Sequence, residues 1–315
     1  MVHDLSVWKG SGSLMALKSP DEVAAGMAQL GVKKAALPVG KTLLLAFLAG
    51  AYVALGGFLA VRASGALPRE LGGSVQKLVF GGVFPVGLMM VIVAGAELVT
   101  GNFMIQPLAY LDRRIGIDGV VRNWALVYLG NFVGSIFVAF VLAYLSGIVM
   151  EPVKAGGAVT QMPWAAFVVV TANAKTALPW WQAFLRGVGC NWLVALAVWM
   201  SFSAEDVVGR ILAIWWPIMA FAVIGFEHSV ANMFLVPLGL FAGSDPTYIA
   251  FTRTSAGLAA STPVLRATWR AFFTNNLIPV TLGNIVGAGL FVGMAYWYAC
   301  LKPEEQPAAK VSRGV

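Results

Sequence analysis

Glu97, Glu227 and His228 are ionisable residues set inside long apolar runs, in the stretches AGAELVTGNFMIQPL (94–108) and IGFEHSVANMFLVPL (224–238). A carboxylate in such surroundings costs about 2.5–3.5 kcal/mol even on lenient membrane-insertion scales, so each glutamate needs donors. An imidazole titrates near neutrality, and its surroundings decide on which side. The chemistry that fits is structural charge compensation by the glutamates beside anion or proton handling by the histidine. The sequence holds two histidines, and His3 lies in the terminal tail, so His228 stands alone in the apolar part of the chain. No His/Cys/Asp cluster, nucleophile–base pair or glycine-rich phosphate loop accompanies it, which argues against an enzyme and against a metal or cofactor.

The elements that carry these residues belong to a membrane protein. Hydrophobic residues make up 59% of the 315, charged residues 11%, and the mean hydropathy is +0.80, far from a soluble domain of this size. The apolar stretches are near-continuous where barrel strands would alternate, so the sequence predicts an all-α bundle. Six spans are expected, at 42–61, 77–111, 123–147, 183–203, 211–241 and 276–301. The second and fifth are too long for one straight crossing and must be bent or broken. Residues 1–40 carry no signal peptide; Ser19, Pro20 and Glu22 mark the capped start of an interfacial helix. One channel domain over 41–302, with repeats at 41–147 and 183–302, and a tail at 303–315 complete the expected organisation. Twelve of the 21 Lys and Arg fall on the side of the termini, which puts that side in the cytoplasm. The net charge of +7 reads as topology and anion attraction and suggests no nucleic acid. Cys190 and Cys300 lie in apolar spans and are expected as free thiols.

The two quoted stretches align without gaps at a shift of 130 residues, bringing Gly95, Glu97, Asn102, Pro107 and Leu108 onto Gly225, Glu227, Asn232, Pro237 and Leu238. Asn123 to Gly134 (NWALVYLGNFVG) echoes Asn276 to Gly287 (NLIPVTLGNIVG), and AFLAG at 46 recurs as AFLRG at 183. Three crossings per copy is an odd number, so the copies are inverted, and folds of that kind build their substrate site where paired interrupted helices meet. Half-helices starting near Thr100 and Ser229 would aim free N–H groups at the centre and attract anions. Each glutamate is expected to cap the N–H groups of its own break, with Asn131 and Asn284 as interhelical glue between closely packed glycines. A hydroxyl–imidazole contact between Thr100 and His228 is plausible. Paired Asn-Pro-Ala boxes and a selectivity arginine, the marks of a neutral-solute channel of the aquaporin type, are not recognised.

AGAELVTGN, GVGCNWLVALAVWMS, GFEHSVANMF and NNLIPVTLGNIVGAGLFVG together resemble the formate/nitrite transporter family, bacterial formate channels above all, over roughly residues 20–302. The resemblance implies an aquaporin-like fold in a homopentamer with one pore per protomer, conducting formate or, in other members, nitrite, hydrosulfide or lactate. It implies that His228 is the central pore histidine and Thr100 its hydroxyl partner. Leu88, Leu98 and Phe221 match apolar constriction positions, and Val99 stands where many formate channels have a bulkier residue. Asn191 and Asn232 match asparagines near the constrictions, and Lys175 a vestibule lysine that concentrates anions. Without the family, Lys175 beside Trp180 and Trp181 reads as an interfacial anchor.

Overall fold

The computed structural model describes residues 17–259 and 262–303. His3, the start of the predicted N-terminal segment and the tail from 304 lie outside them. The chain folds as α1 (Pro20–Ala35), α2 (Val39–Ser64), α3 (Gly72–Ala94), α4 (Val99–Leu111) and α5 (Ile117–Leu145), then a hairpin of β1 (Val153–Ala155) and β2 (Ala158–Gln161). It continues as α6 (Pro163–Thr176), α7 (Trp180–Ser203), α8 (Val207–Ile224), α9 (Ser229–Gly243), α10 (Pro246–Ala256) and α11 (Trp269–Cys300). Six of these, α2, α3, α5, α7, α8 and α11, are long and apolar enough to cross a membrane. The two overlong stretches are broken as expected, between α3 and α4 and between α8 and α9.

α1 is held at its start by a capping box: the Glu22 N–H donates to Ser19 Oγ and the Ser19 N–H to Glu22 Oε2 (2.8 Å). It lays Val23, Met27 and Gly31 against the bundle, and its counterpart in the second half is α6. That helix was not foreseen. Its 14 residues are too few for a crossing, so a search for spans passes over them. The hairpin was missed too; Gly156 and Gly157, with φ of 58° and 82°, make its turn.

Glycines fix the register of the two halves. A Cβ on Gly134 would collide with the Phe47 carbonyl, on Gly287 with the Val188 carbonyl, and on Gly283 with the Phe184 carbonyl. These contacts, where α5 meets α2 and α11 meets α7, equate Phe47 with Val188 across a shift of 141 residues. The AFLAG and AFLRG echo has a shift of 137, one helical turn out of the spatial register. Short runs of Ala, Phe, Leu and Gly recur readily in apolar helices, whereas backbone-to-backbone approach admits one pairing.

Candidate pathway at the two helix breaks

The breaks have the same backbone. Gly95 and Gly225 close α3 and α8 in the left-handed region, at φ of 80° and 91°, each N–H donating to a carbonyl one turn back, Val91 and Phe221. Leu98 (φ −105°, ψ 122°) and His228 (φ −104°, ψ 120°) then open α4 and α9 as N-caps. Their side chains differ: leucine has nothing to offer, whereas His228 Nδ1 accepts the Ala231 N–H at 3.1 Å. Of the remaining orphan donors, the Val99 N–H reaches Asn131 Oδ1 and the Ser229 N–H reaches Asn284 Oδ1, both at 2.9 Å. The capping role expected of the glutamate side chains therefore falls to these asparagines, which stand on α5 and α11 and also donate to the Glu97 and Glu227 carbonyls.

The glutamates sit in two matching cages. Lys34 Nζ lies 2.7 Å from Glu97 Oε1, Asn102 Nδ2 donates to Glu97 Oε2 and to Asn123 Oδ1 (both 2.9 Å), and Asn123 Nδ2 donates to the Lys34 carbonyl. In the second half Lys175 Nζ lies 2.9 Å from both Glu227 oxygens, Asn232 Nδ2 donates to Glu227 Oε2 (2.6 Å) and Asn276 Oδ1 (2.8 Å), and Asn276 Nδ2 donates to the Lys175 carbonyl. Each cage supplies the cation and the amides that a buried carboxylate requires. Lys175 is thus bound to Glu227, and the pair presents no net charge. Lys34, Asn123 and Asn276 were not singled out from the sequence, although both asparagines open the aligned NWALVYLGN and NLIPVTLGN segments, and Lys34 leads Lys175 by the same 141 residues as Phe47 leads Val188.

Between the breaks, His228 Nε2 meets Thr100 Oγ1 at 3.0 Å. Phe221 stacks on the imidazole (ring centroids 5.8 Å apart) and meets Phe84 edge-on. Leu88, Leu98, Val99 and Phe221 are all buried and belong to one apolar cluster. A cavity of about 1160 Å³ opens on the face bearing α6, the hairpin and α10, and ends against Phe221, Glu227, His228 and Asn232. Asn191 lies off this cavity, fully buried, where its Nδ2 donates to the Thr100 carbonyl (3.1 Å) and the Asn284 carbonyl (2.8 Å), joining the first break to α7 and α11. Among the described residues no group of three or more His, Cys, Asp or Glu could hold a metal ion.

A bundle of apolar spans with paired broken helices and an open cavity leading to their junction defines a multi-pass membrane transport protein. The chain belongs to the formate/nitrite transporter family, whose model matches residues 21–298. It is 46% identical over 290 residues to a probable formate transporter of Methanothermobacter thermautotrophicus, covering 90% of this chain and 98% of that one. It is 37% identical over 290 residues to the formate channel BtFdhC of Bacillus thuringiensis, covering 92% and 98%. Among solved structures it is similar to a pentameric formate channel with formate bound, at a TM-score of 0.68 and 33% identity over 84% of this chain and 98% of the other. Family membership makes it a transporter rather than an enzyme.

Proposed function

We propose that this protein is a formate channel of the cytoplasmic membrane, a homopentamer in which every protomer has its own pathway and both termini lie in the cytoplasm. The observation that carries this reading is the cavity that reaches from one aqueous face to the Phe221–His228 stack at the junction of the two breaks. The named relatives support formate, and the excess of Lys and Arg on the side of the termini supports the orientation.

Formate enters the cavity as an anion. Leu88, Leu98 and Phe221 offer no hydrogen bonds, so the substrate sheds water there, and desolvation raises the pKa of a carboxylic acid until it takes up a proton. Water in the cavity supplies that proton. His228 is poorly placed to give one, because Nδ1 accepts the Ala231 N–H, which leaves the ring neutral with its hydrogen on Nε2, directed at Thr100 Oγ1. A charged ring would set a second N–H against the backbone donor. His228 and Thr100 then act as a fixed polar step for the neutral acid in an otherwise apolar passage. Asn191, Asn232 and the Lys175–Glu227 cage hold the walls of that passage. Flux appears as anion flow or as acid symport according to the side on which the proton returns.

The test is purified protein in proteoliposomes given labelled formate in competition with nitrite, hydrosulfide and lactate. Formate flux that outpaces the others supports the reading; flux of another anion with formate excluded overturns it.

A further inference from the structure

Among the described residues, five charged side chains line the cavity: Glu70, Lys77, Lys175, Arg186 and Glu227. Lys175 and Glu227 neutralise each other. Arg186 is half-buried, and among the described residues its guanidinium has no hydrogen bond, ion pair or aromatic partner. Its backbone is fixed next to the junction, since the Glu227 N–H donates to the Arg186 carbonyl at 3.2 Å, one residue before His228. Side chains on a helix lean toward its N-terminus, and α7 begins on the face where the cavity opens, so Arg186, which lines the cavity, leans toward its opening. In the first half the Glu97 N–H donates to the Leu45 carbonyl, so the matching position there is leucine.

We propose that Arg186 is a carboxylate-holding station in the cavity wall beside the helix junction, and a group that draws anions into this mouth. This rests on the reading of the protein as a formate channel. A free, partly desolvated cation beside low-dielectric walls raises the local concentration of anions, which the neutral Lys175–Glu227 pair does not. The planar guanidinium offers parallel N–H donors that match the two oxygens of a carboxylate, a fit that neither an ammonium nor a single-atom anion reproduces. Nothing in the segment FLRGVGCNW marks its arginine as a pathway residue; the tertiary structure places it on the cavity wall.

The test compares wild type, R186L and R186K in proteoliposomes, measuring half-saturation and maximal flux for formate and hydrosulfide at low and high salt. R186L is expected to raise the half-saturation for formate by roughly fivefold or more at low salt, with a smaller effect at high salt and a smaller change in maximal flux. R186K is expected to recover hydrosulfide uptake more fully than formate uptake. R186Q replaces R186L should the leucine variant fail to assemble. An unchanged half-saturation in the neutral variant, or equal recovery of both anions by R186K, overturns the station while wild-type formate flux stands. Absence of wild-type formate flux overturns the proposed function and the station with it.

Discussion

His228 Nε2 and Thr100 Oγ1 are 3.0 Å apart although 128 residues separate them in the chain and each belongs to a different repeat. Thr100→Val keeps the shape and removes the acceptor, leaving a buried ring N–H unpaired at a cost of about 1–3 kcal/mol. Lower thermal stability in detergent and reduced formate flux are expected, with Thr100→Ser close to wild type. With the proton coming from water, His228→Asn should lower the rate and leave the shape of the flux–pH profile intact. A profile displaced by a full unit would return the proton to the imidazole.

The Lys175–Glu227 pair, with side chains only 16% and 5% exposed, should behave as a buried ion pair. Lys175→Met strands a carboxylate and should cost about 3–5 kcal/mol, while Lys175→Met with Glu227→Gln should recover much of it. Thermal unfolding of the two single variants and the double variant measures the coupling. Additive losses would show that the pair is not a unit.

Asn131 accepts the Val99 N–H and donates to the Ala46 and Glu97 carbonyls, and Asn284 repeats the pattern with Ser229, Gly187 and Glu227. Alanine at either position orphans a break donor and two carbonyls, so each variant should lose folded yield and flux together. Leucine should be worse than alanine, since it adds bulk without acceptors.

Gly134→Ala and Gly283→Ala drive a methyl into backbone atoms of the neighbouring helix and should abolish assembly. Gly82→Ala is the control: a Cβ there meets nothing within 4 Å, and replacing a helical glycine should stabilise by about 0.5–1 kcal/mol. Size-exclusion elution of detergent-solubilised protein distinguishes the outcomes.

Asp245 caps α10 through the Thr247 and Tyr248 N–H groups and accepts the Tyr144 hydroxyl at 2.9 Å. Burial alone would raise its carboxyl, but these hydrogen bonds outweigh it and hold the group below the usual carboxylate range. A depressed folded-state pKa contributes stability above the unfolded value of about 3.8, and that contribution is lost as pH falls through the folded value. Asp245→Ala should therefore cost about 1 kcal/mol near neutrality and less in strong acid, a difference measurable by thermal unfolding across pH.

Composition, the lengths of the apolar runs and one aligned pair of segments were enough to announce six spans, two breaks and inverted halves. Those properties are written locally, in the cost of exposing polar groups to lipid and in rare residues such as Glu and Asn recurring at a fixed shift. What each polar side chain touches was not legible. Glu97 reads from the sequence as a cap for its own helix break, and only the packing of α1 on α4 brings Lys34 to it. Arg186 is one more cation at a helix start until the Glu227 N–H on its carbonyl sets it beside His228. Hydrogen-bond partners across such distances depend on which backbones can approach, and here glycines set that approach, a property of helix pairs that no single stretch of chain contains.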